Sequence, residues 1–163
     1  MSKKALTLRD HEVKKLLSGE VLVVRPVKPQ PAWNAELEMW VWPNALHGYA
    51  SCYPTDGLID WLTEHSPYPV GSRWWVRETW IQPYEWIVPG YDPNYHRALY
   101  KASSFDTWGC GYEFHWDDIP DRFWRSPITM PRWASRLTVE VVETTVEQQD
   151  GVWVWSTRVR RVQ

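Results

Sequence analysis

The strongest constraint on the fold of this chain is a pair of long β-type runs close to its C-terminus. Residues 136–146 and 152–162 are rich in valine, threonine and tryptophan, which favour strands. Asp150-Gly151 between them is typical of a type I′ turn, the turn that joins two antiparallel strands. We therefore predict a β-hairpin that ends at residue 162.

The rest of the chain alternates between short strands and short helices. The spacing of apolar residues predicts helices over 8–18 and 57–65, with Gly19 suited to the end of the first. A helical turn is expected over 131–135 and an extended segment over 126–130. A proline-rich linker occupies 26–33, and further strands are predicted over 21–24, 37–42, 48–53, 73–81 and 97–102. This pattern favours a small α+β fold over a helical bundle or a doubly wound sheet.

Length and composition limit the organisation of the chain. The 163 residues fit one domain, 1–163, with irregular aromatic and acidic excursions at about 82–95 and 103–121. Cys52 and Cys110 leave a disulfide open, although a reduced protein is favoured at this length. The polar N-terminus and the absence of a long apolar run predict a cytoplasmic protein with no membrane partner.

Charge is unevenly distributed along the chain. The net charge is −2, but residues 122–163 hold seven basic residues against four acidic ones, and residues 31–121 hold four against thirteen. A basic face that contacts the backbone of a nucleic acid is one explanation, and a solvated strand edge that resists association is another. The arginines that would form this face are Arg132, Arg136, Arg158, Arg160 and Arg161.

The chain is unusually rich in tryptophan, with fourteen residues of this type. Indole rings suit cores, protein interfaces and platforms on which nucleic-acid bases stack. The five histidines are dispersed and show no metal-ligand spacing, so we expect neither a metal nor a cofactor.

Three segments together resemble a known family. They are LLSGEVLVVRP at residues 16–26, WWVRETW at 74–80 and MPRWASR at 130–136. The chain resembles the ASCH-type proteins of the PUA-like superfamily, in the version common in phages and prophages. The resemblance implies a small PUA-like mixed β-barrel with short flanking helices. Relatives in the superfamily bind RNA or modified bases, and some ASCH proteins deacetylate acetylcytidine nucleosides.

The motif of the hydrolases in this family is altered here. When Gly19 is set on the glycine of the family pattern G-x-K-x-x-T-x-R, Val21 and Val24 occupy the lysine and threonine positions. Valine can neither carry a proton near neutrality nor attack a carbonyl. Glu78 matches the assisting acid and would be the catalytic residue of an enzyme. The resemblance therefore implies binding without covalent catalysis.

Other residues of the first two segments could still bind a ligand. They are Arg25, Trp74, Arg77, Glu78 and Trp80. The arginines would grip a phosphate or a base edge, Glu78 would accept from an exocyclic amine, and an indole would stack. Because Glu78 lies among apolar neighbours, we expect Arg25 to be its ionic partner. A purely structural salt bridge is the alternative.

The predicted function is a binding module that recognises nucleic acid, either RNA or DNA, or a nucleotide-like ligand. One alternative is an amidohydrolase that acts on acylated cytidine-type nucleosides. The other is a phage accessory protein that binds a host protein through the excursions at about 82–95 and 103–121, since clustered aromatic residues commonly anchor protein interfaces.

Overall fold

A computed structural model describes residues 4–44, 49–82, 98–103, 105–107, 113–115 and 119–162. Within these residues the fold is mixed α+β and mostly sheet, with two α-helices, α1 (Asp10–Leu17) and α2 (Thr55–Glu64). Neither helix of the described part is long and apolar enough to cross a membrane. The strands are β1 (Ala5–Thr7), β2 (Glu20–Pro26), β3 (Ala32–Asn34), β4 (Met39–Asn44), β5 (Tyr49–Tyr53), β6 (Arg73–Arg77), β7 (Trp80–Ile81), β8 (Leu99–Tyr100), β9 (Phe105–Thr107), β10 (Glu113–His115), β11 (Thr138–Gln149) and β12 (Val152–Val162).

The largest sheet has five strands in the order β1-β6-β11-β12-β2. Strand β1 runs parallel to β6, which pairs antiparallel with β11. A second sheet has the order β3-β4-β5, and β7-β8 and β9-β10 form two-stranded pairs. Three 3₁₀-helices in the described residues connect β10 to β11, namely Asp121–Phe123, Pro127–Thr129 and Arg132–Ala134.

The chain divides into two compact units. Unit 1 comprises the described residues within Met1–Val21, Arg73–Glu140 and Arg160–Gln163, and unit 2 those within Leu22–Ser72 and Val141–Val159. The single domain over 1–163 stays a prediction.

Unit 1 has a core built around two tryptophans. Trp75 and Trp80 are buried with Ala98, Met130 and Ala134. Helix α1 turns its apolar side inward as its periodicity predicts, with Val13 and Leu16 buried and the two lysines that follow Val13 exposed. Leu17, the last residue of the helix, is exposed.

Unit 2 has a core in which tryptophans contact one another. Trp153 and Trp155 are buried beside Val27, Leu58, Leu62 and Val146. Partly buried rings from β4 and α2 pack against this cluster, including Trp40, Trp42 and Trp61.

The predicted C-terminal hairpin is confirmed. Strands β11 and β12 are hydrogen-bonded neighbours, and both turn residues have positive φ, 50° at Asp150 and 80° at Gly151. A type I′ turn requires this conformation at both central positions. The strands predicted over 37–42 and 48–53 correspond to β4 and β5, which are antiparallel neighbours.

Several predicted boundaries are wrong. The strand expected over 73–81 stops at Arg77 and resumes at Trp80, because the Glu78 side chain is buried in an ion pair at the break. The segment expected to be extended over 126–130 contains a 3₁₀-helix at Pro127–Thr129. Strand β1 was not predicted, since three residues carry too little periodicity to be recognised. Most of the excursions at about 82–95 and 103–121, with Cys110, lie outside the described residues.

Candidate nucleic-acid interface

Trp75 of unit 1 is contacted by two arginines. It lies on β6 and is buried, and the neighbouring Arg77 places its Cζ atom 4.9 Å from the centroid of the indole ring. Arg132, from the last 3₁₀-helix, places its Cζ atom 5.6 Å from the same centroid. Both distances fall within the range of cation–π attraction.

Trp80 has the same kind of environment. The Cζ atom of Arg125 lies 5.2 Å from its ring centroid, and the Trp133 ring meets it edge-on at 6.1 Å. Arg125 is held there by the backbone, since its N–H donates to the Trp80 carbonyl at 2.8 Å and its carbonyl accepts from the Trp80 N–H at 3.3 Å. We call this group the Arg–Trp surface, and its members are Trp75, Arg77, Trp80, Arg125, Arg132 and Trp133.

The Arg–Trp surface combines positively charged side chains with an exposed aromatic ring. Trp133 is 52 % exposed although its edge packs against Trp80. Among the described residues, Arg132 has no ion pair, and the buried Nε of Arg77 has no hydrogen-bond acceptor. The N–H donors of a guanidinium point outward in the plane of that group. When its flat face lies on an aromatic ring, these donors can still bind a phosphate or a base edge.

Glu78 is fully buried and makes a two-point ion pair. The Nε of Arg136 donates to its Oε1 at 3.0 Å, and Nη2 donates to its Oε2 at 2.9 Å. The third nitrogen, Nη1, donates to the Ser103 hydroxyl at 2.7 Å. The guanidinium also lies over the Tyr100 ring, 4.1 Å from its centroid. Each group of this pair is satisfied, as a buried charge requires.

Burial raises the pKa of the Glu78 carboxyl above its ordinary value. The hydrogen bonds and positive charge of Arg136 act in the opposite direction, and the negative charge of Asp10 adds to the increase. The dominant cause is desolvation, because the carboxylate has lost its contact with water. Both Glu78 oxygens accept a hydrogen bond from Arg136 and the side chain is buried, so the carboxylate is not presented to a substrate in the described structure.

The partner of Glu78 differs from the sequence prediction. We expected Arg25 in this role and Arg136 on the backbone of a nucleic acid, but Arg136 forms the ion pair. Arg25 belongs to unit 2, where its Nη1 donates to the Val24 carbonyl at 2.9 Å. Its positive charge lowers the pKa of Tyr68, although the larger effect of burial raises that pKa overall.

The other predicted ligand residues lie in unit 1. Trp74 is buried, with the Lys4 ammonium 5.3 Å from its ring centroid, and Trp80 is also buried. Arg77 belongs to the Arg–Trp surface. The exposure of Trp133 is a property of packing that the sequence does not carry.

Two of the C-terminal arginines are paired with glutamates. Arg158 Nε lies 3.5 Å from Glu143, and Arg160 Nη2 lies 3.6 Å from Glu140. Exposed pairs of this kind are weak, but they balance the positive charge of the strand. The predicted basic group is therefore divided: Arg158 and Arg160 are paired with glutamates of β11, and Arg136 is paired with buried Glu78. Arg132 lies on the Trp75 ring, and Arg161 has no ion pair in the described part of the chain.

The two valines that the resemblance sets at the lysine and threonine positions have packing roles. Val21 is buried and Val24 is half-buried. Three or more histidine, cysteine or acidic side chains do not converge as a metal site anywhere in the described residues.

The chain was compared with family models, curated proteins and solved structures. No family model, no curated protein and no solved structure matches this chain.

Proposed function

We propose that this chain is a module that binds single-stranded nucleic acid without covalent catalysis, built as a PUA-like, ASCH-type mixed β-barrel. The Arg–Trp surface would be its binding face. We place its action in the cytoplasm, which is that of the host cell if the chain is encoded by a phage.

The observation that supports this proposal is the stacking of three guanidinium groups on Trp75 and Trp80 beside the exposed Trp133 ring. Guanidinium groups bind phosphate oxygens through paired N–H donors. An exposed indole can stack on a base only when that base is out of a duplex, which favours a single strand. Cations and an open ring on one surface are the combination that single-strand binding uses.

The rival amidohydrolase function has less support. Glu78, the residue that would assist amide cleavage, is held by Arg136 through both of its oxygens. The proposed host-protein contact depends on the two excursions, most of which lie outside the described residues. Release of cytidine from acetylcytidine by the purified protein would favour the enzyme over the binding module.

The test is fluorescence anisotropy with labelled single-stranded RNA, single-stranded DNA and a duplex of the same sequence, over a series of salt concentrations. We expect the logarithm of the affinity for single strands to fall linearly with the logarithm of the salt concentration. Arg132→Gln should reduce that slope by about one unit, because one phosphate contact is lost.

Arg158→Gln is the matched control, since it removes an arginine that is already paired with Glu143. It should leave the slope unchanged. Affinity that does not respond to salt, or equal effects of the two substitutions, would contradict the proposed function.

A further inference from the structure

Unit 1 contains a cavity of about 400 Å³ between α1 and the segment that begins at Ile119. This volume lies within the range of small-molecule sites, roughly 300–1,000 Å³. None of its lining residues belongs to the Arg–Trp surface. The residues of its wall that matter here are Asp10, Lys14, Lys101, Ile119, Asp121 and Trp124.

One part of the wall carries an acceptor without a donor. Asp10 is the first residue of α1, and its Oδ1 is buried with no hydrogen-bond partner in the described part of the chain. A buried acceptor in this state is unfavourable, and because Asp10 lines the cavity, a ligand N–H group that reaches its carboxylate would be favoured. The negative charge of Asp10 also acts on Glu78 and raises the pKa of its carboxyl.

The rest of the wall carries two ammonium groups and a flat ring. Lys14 lies one helical turn after Asp10, on the same side of α1, and has no ion pair among the described residues. The Nζ of Lys101 lies 2.8 Å from Asp121 and 6.0 Å from the centroid of the Trp124 ring. Asp121 is 90 % exposed, so this ion pair is open to water and a ligand anion can compete for the lysine.

These groups select the chemistry of a ligand. A simple anion would meet two carboxylates in the cavity, and a simple cation would meet two ammonium groups. A molecule that carries both kinds of group satisfies the wall, and a planar ring would pack against Trp124 and Ile119.

We propose that the cavity binds a small molecule that combines a flat ring, an anionic group and an N–H donor. The anion would contact Lys14 and Lys101, the donor would contact Asp10, and the ring would lie on Trp124. Nucleoside monophosphates with an amino group on the base have this chemistry, and so do aromatic amino acids. The proposal goes beyond the Arg–Trp surface, because it uses different residues and a different kind of ligand.

Isothermal titration calorimetry on the full chain tests this proposal with one probe from each source, AMP and L-tryptophan. Each probe has an analogue that lacks only the amine, purine riboside monophosphate and indolepropionate respectively. We expect one probe to bind, and its analogue to bind about tenfold more weakly because the bond to Asp10 is lost. Asp10→Ala should remove this discrimination, and its melting temperature without ligand verifies that it folds.

The lysines of α1 supply the matched control. Lys14→Gln should weaken binding of the probe by about tenfold, since a charge-assisted hydrogen bond to the anion is lost. Lys15→Gln removes an exposed charge from the next position, outside the cavity wall, and should bind as the wild type does. Oligonucleotide affinity of both variants should be unchanged, so that failure here and failure of the proposed function can be told apart.

Two results would overturn the proposal. One is that neither probe binds with a Kd below about 1 mM. The other is that Lys14→Gln and Lys15→Gln behave alike with the probe that binds, which would locate the binding elsewhere.

Discussion

The two units use tryptophan in different ways. In unit 2, Trp40 is met edge-on by Trp33 at 5.3 Å and by Trp153 at 5.2 Å, and Trp61 packs against Trp42 at 5.4 Å. In unit 1, the rings of Trp75 and Trp80 are met by guanidinium groups. A buried ring that is packed only against other rings contributes to a dry core, whereas a buried ring that contacts arginine keeps a charge at its surface. The neighbours of an indole therefore indicate its role better than its burial does.

The difference originates in the segment that precedes β11. Residues 119–137 place arginine at four positions, and three of these side chains lie on aromatic rings of β6, β7 or β8. The corresponding neighbours in unit 2 come from α2 and the β3-β4-β5 sheet, which supply more aromatic rings. This comparison can be tested by substitutions in each unit.

The largest effect is expected for Arg136→Met, which removes an arginine of unit 1 that is structural. Glu78 would be left buried without its cation, and we expect the free energy of unfolding at neutral pH to fall by about 3–5 kcal/mol. Urea unfolding followed by circular dichroism measures this loss. Arg158→Met is the control, since its exposed pair with Glu143 should contribute less than about 1 kcal/mol.

The loss of stability in Arg136→Met should depend on pH. The pKa of Glu78 is higher in the folded protein than in the unfolded chain, so the folded state binds the proton more tightly. The stability that this group contributes is therefore present at acidic pH and is lost as the pH rises through the folded pKa. Without Arg136 the pKa rises further, and the deficit of the variant should shrink on acidification. An equal deficit at all pH values would argue against a buried carboxylate.

The next effect concerns the core of unit 2. Trp153→Ala should lower the free energy of unfolding by about 3 kcal/mol, the lower end for a buried tryptophan, because the substitution also removes a buried Nε1–H that has no acceptor among the described residues. Trp33→Ala, at a ring that is 51 % exposed, should cost about 1 kcal/mol from the lost edge contact with Trp40. Similar losses for the two variants would remove the distinction between core and surface rings in this unit.

The smallest effect is a loss of binding. Trp133→Ala should weaken binding of a single-stranded oligonucleotide by about 1–3 kcal/mol, because one stacking surface is lost. The slope of affinity against salt should stay the same, since no charge is removed. Trp33→Ala is the control, at equal exposure but in unit 2, and should bind normally. A weaker complex with both variants would mean that exposed indoles in general contribute, and the Arg–Trp surface in particular does not.

Local signals in the sequence predicted the elements that depend on neighbouring residues. The Asp150-Gly151 turn and the strands beside it were found because turn chemistry and β-branched runs act over a few residues. The helices were found from their apolar spacing, with ends displaced by one or two residues. Strand β1 was missed because its three residues are held by pairing with distant Trp75, Val76 and Arg77.

The candidate site was predicted only in part, for a related reason. Arg77 and Trp80 were recognised as ligand residues from their segment, but the partner of Glu78 lies 58 positions along the chain. Nothing in the order of residues distinguishes Arg25 from Arg136 as that partner. Which ring stays exposed, and which arginines face glutamates, depends on strand register, which becomes known only when the sheet is formed.

The Glu78–Arg136 ion pair has a consequence for how this sequence can change over time. Loss of Arg136 alone leaves a buried carboxylate without its cation, and loss of Glu78 alone leaves the guanidinium donors without acceptors. Replacement of both by apolar residues of similar volume can be tolerated. Divergent descendants of this chain should therefore preserve these two positions jointly or exchange them jointly. Covariation between them would be a record of the constraint.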